Sequence, residues 1–179
     1  ILIVGAGTQG RGLHAAYRAV FPDAEFTVWN RSAPNAQAMA RDIDGLRIAD
    51  DLETAVRDAD IITSATMSTE PLIKGAWLQP GQHLDLIGAY RPDMREVDDT
   101  ALTRARVFVD SLDTTVEHIG ELKIPLEAGA IERGDVVAEF SEPDLFRRES
   151  ADEITLFKNG GGAHLDLMVA RHILDRWRG

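Results

Sequence analysis

Apolar positions along the chain follow two alternating spacings. Residues 1–4 are a continuous apolar, β-rich run, the pattern of a strand covered on both faces. Residues 5–10 break it with a glycine-rich turn. Leu13, Ala16, Tyr17 and Val20 then fall at helical spacing and predict an amphipathic helix, which Phe21, Pro22 and Asp23 end. Residues 25–29 predict a second strand. Ser32 and Pro34 signal a helix start, and Ala36, Met39, Ala40 and Ile43 form its stripe. The alternation continues with strands expected at 46–48, 61–65, 84–87, 107–109 and 154–157. Helices are expected at 52–57 and 97–105, with a turn of helix around Trp77. Residues 111–150 are less regular, with helices expected at 114–122 and 136–140. Leu165, Met168, Val169 and His172 mark a last amphipathic helix after three consecutive glycines. Strands alternating with helices over a whole domain predict an α/β fold, with a mainly parallel sheet and helices on both faces.

Composition narrows the function classes. The 179 residues suit one domain, and 44% hydrophobic with 27% charged is ordinary for a globular protein. No apolar run reaches the roughly 20 residues that span a bilayer, so no membrane partner is expected. With no cysteine, disulfides, thiolate metal sites and cysteine nucleophiles are excluded, and a cytoplasmic location is the expectation. A net charge of −11 repels phosphate backbones and argues against nucleic acid. No two histidines stand at metal-ligand spacing, and no metal is expected. The chain opens without Met inside what reads as a buried strand, so further residues of a parent protein are expected ahead of Ile1.

The chemistry starts at Gly5-Ala6-Gly7-Thr8-Gln9-Gly10, a G-x-G-x-x-G run between a strand and a helix. In that context Gly5 permits the tight turn, Gly7 lets backbone approach a pyrophosphate, and Gly10 allows close helix–strand packing. The helix N-terminus then offers free N–H groups and a positive dipole end to phosphates. A tight βα turn without ligand is the bland alternative. A methyltransferase also carries a glycine loop, but its second strand commonly ends in a carboxylate that grips ribose. Here that strand end reads Asn30-Arg31-Ser32, with no carboxylate. Arg31 is a planar fork suited to phosphate, and Asn30 and Ser32 add donors. The set favours NADP(H), with its extra 2′-phosphate, over NAD(H), which stays possible. The plain alternative is a solvated cation beside a helix cap.

Three further stretches carry a resemblance. They are residues 80–98 (PGQHLDLIGAYRPDMREVD), residues 107–111 (VFVDS), and residues 153–162 (EITLFKNGGG) followed by Asp166. Together they resemble the ornithine cyclodeaminase/mu-crystallin family over essentially the whole chain. The resemblance implies that residues 1–179 are a Rossmann-type, doubly wound NAD(P)-binding domain of a larger two-domain protein. The helix at 162–178 would pack toward the other domain. That domain would hold a small amino- or imino-acid substrate and form the interface of a homodimer. By motif position, Gly5, Gly7, Thr8, Gln9 and Gly10 would serve the pyrophosphate. Asn30, Arg31 and Ser32 would hold the adenosine ribose. Thr66, Ile87, Gly88 and Ala89 would line the nicotinamide side, with Asn159 beside them and Gly160 approaching substrate. Tyr90 stands where cyclodeaminases of the family carry a catalytic Asp. A tyrosine near its ordinary pKa of about 10 is a poor base at neutral pH. The expectation is therefore a reductase of cyclic ketimines. An amino-acid cyclodeaminase, an alanine dehydrogenase, and a non-catalytic NADPH-regulated binding protein stay open. Tyr90 could equally be an aromatic wall. His14 and His172 read as packed helix residues, His164 as able to face the pocket, and Asp85, Asp93 and Glu96 as loop or cap residues.

Overall fold

The computed structural model describes residues 1–178; Gly179, the last residue of the expected domain, lies outside them. Eight strands form one sheet: β1 (Leu2–Val4), β2 (Thr27–Trp29), β3 (Arg47–Ile48), β4 (Ile61–Ser64), β5 (His83–Leu86), β6 (Ala105–Val109), β7 (Val136–Ala138) and β8 (Ile154–Lys158). Six helices connect or follow them: α1 (Thr8–Val20), α2 (Ala33–Asp42), α3 (Leu52–Asp58), α4 (Asp99–Arg104), α5 (Gly120–Glu127) and α6 (Ala163–Arg178). The strand order is β3-β2-β1-β4-β5-β8-β6-β7, and every pairing is parallel. This is the Rossmann-type doubly wound sheet that the alternation predicts.

Two apolar layers explain the unbroken apolar run of β1. Leu2 and Val4 pack with Leu52 and Val56 of α3 and Ala101 and Leu102 of α4. Ile3, pointing the other way, packs with Phe26, Val28, Ala36 and Met39. Both faces of the strand are therefore buried, and side-chain alternation leaves no polar position. From β1 the chain runs outward through β2 to the edge at β3, then returns to β4 on the other side. The chain thus reverses direction between β1 and β4, the switch point at which sheets of this kind take ligands outside the carboxyl ends of their strands. The last strand in sequence, β8, is inserted between β5 and β6.

Several local expectations need correction. Residues 136–140 are not a helix: β7 pairs Val136 with Val107 and Ala138 with Phe108 on the sheet edge. Its two β-branched residues suit a pleated, half-covered surface. Residues 114–122 are not one helix. A wide turn spans Leu112–Val116, and α5 starts only at Gly120. Gly120 is pressed against Pro92 and Met94, where an added Cβ would lie 2.6 Å from both carbonyl oxygens. The expected stripe of α1 is only half packed: Tyr17 lies against the core and Leu13 is half-buried. Val20 and Ala16 are exposed, Gly10 is buried, and His14 sets its ring edge-on to Phe26 at 4.7 Å. No residue of α6 is buried, so His172 is solvent-facing and not packed. Among the described residues no helix is long and apolar enough to cross a membrane.

The glycine loop gives the fold its sharpest steric test. A Cβ on Gly10 would lie 2.0 Å from the Gly5 carbonyl oxygen, whereas one on Gly7 would meet nothing within 4 Å. Gly10→Ala is expected to destabilise the protein by more than about 2 kcal/mol. Gly7→Ala should cost no more than about 1 kcal/mol. Thermal or denaturant unfolding of the two variants checks this, and equal stabilities would refute the packing assignment.

Candidate functional site

The carboxyl ends of the strands gather the sequence-predicted residues along one edge of the sheet. Gly5 follows β1 with φ +112°, and a Cβ there would strike the Ala65 carbonyl oxygen at 2.7 Å. Gly7 caps α1 in an extended conformation with open space above it, and the first turn of α1 holds no acidic residue. Thr8 and Gln9 are exposed beside it. Free N–H groups, an unopposed positive helix end and a glycine with room above it fit a pyrophosphate.

At the end of β2 the three candidates have different duties. The Asn30 side chain is already engaged: Oδ1 accepts from Ala6 N at 3.1 Å, and Nδ2 donates to Ser32 O at 3.0 Å. Asn30 therefore shapes the first loop, with one of its two amide N–H groups spent on Ser32 O. Arg31 is exposed and, among the described residues, forms no ion pair; Ser32 stands at the N-cap of α2 without spending its hydroxyl on the cap. Both are available to an anion.

The loops after β4 and β5 meet over one buried carboxylate. Glu96 is fully buried. Its Oε1 accepts from Ser64 Oγ (2.6 Å), Thr66 N (2.8 Å) and Thr66 Oγ1 (2.9 Å). Its Oε2 accepts from Gly88 N (2.7 Å) and Ala89 N (3.2 Å). Thr66 thus spends its hydroxyl on Glu96. Ile87 and Gly88 are half-buried and Ala89 is buried. Beneath Glu96, Glu121 accepts from Glu96 N and Val97 N at 2.8 and 3.0 Å. Burial, then the neighbouring Glu96 charge, pushes the Glu121 carboxyl up to about 7. Lys158, also fully buried, donates to Leu86 O at 3.2 Å. Burial lowers its pKa while the surrounding carboxylates, led by Glu121 and Glu96, oppose that.

The far end of the edge is built around Asp110. Its Oδ1 accepts from Thr115 Oγ1 at 2.6 Å and Ser111 N at 3.0 Å, and its Oδ2 from Gly161 N at 3.1 Å. Asn159 turns its Oδ1 back to Gly161 N at 2.8 Å. Gly160 abuts Thr115, where a Cβ would fall 2.1 Å from the hydroxyl. His164 Nε2 lies 3.7 Å from Asp110 Oδ2, so this histidine does reach the same edge. Tyr90 is 57% exposed, and its hydroxyl has no hydrogen-bond partner among the described residues. It is not drawn into any acid–base network.

Asp85 is not a loop residue: it lies within β5 and accepts from Tyr17 Oη (3.0 Å) and Thr63 Oγ1 (3.1 Å). Burial raises its pKa more than these bonds lower it. Glu96 does lie in a loop, but a buried one, while Asp93 sits in an exposed loop paired with Arg91. Glu96, Glu121, Lys158 and Asp110 are the site-forming residues that pattern reasoning missed. A groove of about 790 Å³ lies at the opposite edge, among residues such as Ile1, Ala24, Glu25, Arg47 and Asp60. It gathers strand starts and carboxylates, and the helix N-terminus that reaches it, that of α3, is capped by the Asp51 carboxylate, so it suits a dinucleotide poorly.

The sequence profile of the ornithine cyclodeaminase/mu-crystallin family matches residues 1–179. The chain belongs to this family. A family relative, the Delta(1)-pyrroline-2-carboxylate reductase of Paracoccus denitrificans, is 51% identical over 181 residues, covering 97% of this chain and 57% of its own. The Thermococcus litoralis Delta(1)-pyrroline-2-carboxylate reductase, solved with NADH and L-proline, superposes with a TM-score of 0.84 at 30% identity, over 89% of this chain and 52% of that one. An archaeal alanine dehydrogenase dimer with bound NAD gives 0.86 at 31% identity, over 94% and 54%. The chain therefore spans a little over half the length of each.

The buried carboxylates make a pH prediction. The folded-state pKa of Glu121, about 7, lies above its ordinary value of 4.5. A raised carboxyl favours folding at low pH. Its contribution is full below about 4.5 and is lost as pH rises through about 7. The stability difference between wild type and Glu121→Gln should shift against the wild type by up to about 3 kcal/mol across that window. Denaturant titrations at several pH values read this difference, and a flat one would mean that Glu121 does not titrate there.

Proposed function

We propose that this chain is the NADP(H)-binding domain of a reductase acting on small cyclic ketimines of the pyrroline- and piperideine-2-carboxylate type. The observation that carries the reading is the 51% identity, over nearly the whole chain, to a protein named as a Delta(1)-pyrroline-2-carboxylate reductase. The setting of Tyr90 supports it. Where the resemblance places a cyclodeaminase Asp, this chain has an exposed tyrosine without a proton-accepting partner. Reduction of a protonated cyclic imine needs no base at that position, because the iminium carbon is already electrophilic.

When bound, the cofactor supplies the hydride from its nicotinamide to the imine carbon, whose nitrogen becomes a secondary amine. The domain's own residues bind and orient. The first turn of α1 and Gly7 receive the pyrophosphate, with Thr8 and Gln9 alongside. Asn30 holds the first loop in shape, while Arg31 and Ser32 take the 2′-phosphate. Thr66, Ile87, Gly88 and Ala89 form the wall for the nicotinamide half, and Asn159 and Gly160 close it on the substrate side. The substrate carboxylate is held by the rest of the parent protein. The apolar side chains that α6 leaves exposed, among them Met168, Ile173 and Trp177, suit packing against that remainder. The parent protein is a cytoplasmic homodimer in this reading, its interface lying mostly outside this chain; the archaeal alanine dehydrogenase is likewise a dimer.

Full-length protein is expected to oxidise NADPH with Δ1-pyrroline-2-carboxylate and to release no ammonia from ornithine. Both are read from reduced-nicotinamide absorbance and an ammonia assay. Conversion of ornithine, or silence with cyclic imines, would overturn the proposal. NADPH should bind roughly tenfold more tightly than NADH, because Arg31 offers charge-assisted hydrogen bonds that solvent and the acidic surface partly screen. Arg31→Ala should erase that ratio, and an unchanged ratio would reduce Arg31 to a surface cation.

A further inference from the structure

We infer that Glu96 is a positioning residue for the nicotinamide half of the cofactor site, and that it acts there selectively. The inference rests on the dinucleotide reading given above. Its ground is a hub of contacts. The two carboxylate oxygens divide their work: Oε1 holds the loop after β4 through Ser64 and Thr66, and Oε2 holds the loop after β5 through Gly88 and Ala89. The main chain of the same residue does more. Glu96 O accepts from both Leu72 N and Ile73 N at 3.0 Å, closing the far end of the β4 loop. Glu121 fixes Glu96 in turn, through its main-chain N–H.

The two loops touch with no slack. A Cβ on Gly88 would sit 2.1 Å from Thr66 O, 2.2 Å from Thr66 N and 2.5 Å from Glu96 Oε1. Gly88 is therefore glycine because a neighbouring loop and a carboxylate fill its space. None of these bonds reaches the loops after β1 and β2, where Gly7, Arg31 and Ser32 lie. The two halves touch where Gly5 abuts Ala65, but the side-chain hydrogen bonds that support them fall into separate sets. Asn30 ties the adenosine half, and Glu96 ties the nicotinamide half.

Substitution by Gln splits the carboxylate's duties. The single carbonyl oxygen can serve one loop, and the amide NH2 then confronts N–H donors on the other. One loop loses its acceptors while the adenosine half keeps its structure. A merely structural role would weaken all ligands together.

The test compares two probes on full-length protein, ADP and whichever reduced dinucleotide the wild type binds more tightly. Calorimetry or nicotinamide fluorescence gives each affinity. Glu96→Gln is expected to bind the dinucleotide about tenfold or more weakly and ADP within about twofold of wild type. Should that variant not fold, Ser64→Ala removes one donor to Oε1 without changing either loop's sequence. It should weaken the dinucleotide by roughly threefold and leave ADP unchanged. Equal losses on both probes, or no loss on the dinucleotide, overturn the inference alone. A wild type that binds no dinucleotide overturns the underlying reading, and this inference with it.

Discussion

A carboxylate withdrawn from water must be met by donors, and Glu96 is met by five within 3.2 Å. An unpaired buried charge would cost several kcal/mol, so the fold has little freedom to place those donors elsewhere. Four of them belong to the loops that leave β4 and β5. The requirement to satisfy one charge therefore sets the path of two loops at once. Glu121 and Lys158 extend the same constraint downward, to the start of α5 and the end of β8. A strand that arrives last in sequence is in this way tied to loops formed much earlier in the chain.

The other half of the edge is built by different physics. Around β1 and β2 the geometry comes from absent side chains and backbone groups. Gly5 and Gly10 let chain segments approach where a Cβ would collide, and Gly7 leaves space above the start of α1. Here Asn30 ties the loop, while Thr8, Gln9, Arg31 and Ser32 stay exposed. That contrast suits the two ends of a dinucleotide. Phosphates want free donors and positive potential in reach of solvent. A reacting ring wants a wall that does not move, since small misplacements cost rate.

The first half was legible from residue types alone; the lining of the second was legible by resemblance, and its buried supports were not. The glycine loop, its flanking strand and helix, and the missing carboxylate after β2 could all be read from residue types and order. So could the strand–helix alternation, because strands buried on both faces are continuous apolar runs. Asp85 and Lys158 escape pattern reading for the same reason. In a strand covered on both sides, a charged residue cannot be assigned to solvent by alternation, and both are buried. Glu96 lies outside regular structure in a run of charged residues that resembles a surface loop. Only the closing of β4, β5 and α5 around it shows its role. The β7 and α5 errors arose where local pattern was weak and tertiary contact decided, at the sheet edge for Val136 and against Pro92 and Met94 for Gly120. Ala16 and Val20 of the α1 stripe are exposed because the packed positions of that helix include Gly10 and His14, which carry no apolar signal.

The central claim is that a dinucleotide lies along the carboxyl ends of the strands, crossing from the β1 loop to the β5 loop. Hydrogen–deuterium exchange of full-length protein, with and without saturating NADPH, tests it most directly. Ligand-dependent protection is predicted in peptides covering residues 5–10, 30–32, 65–67 and 87–90. Peptides covering residues 24–25, 47–51 and 58–61, around the groove at the opposite edge, should exchange unchanged. Protection confined to that opposite groove, with residues 5–10 unaffected, would contradict the claim.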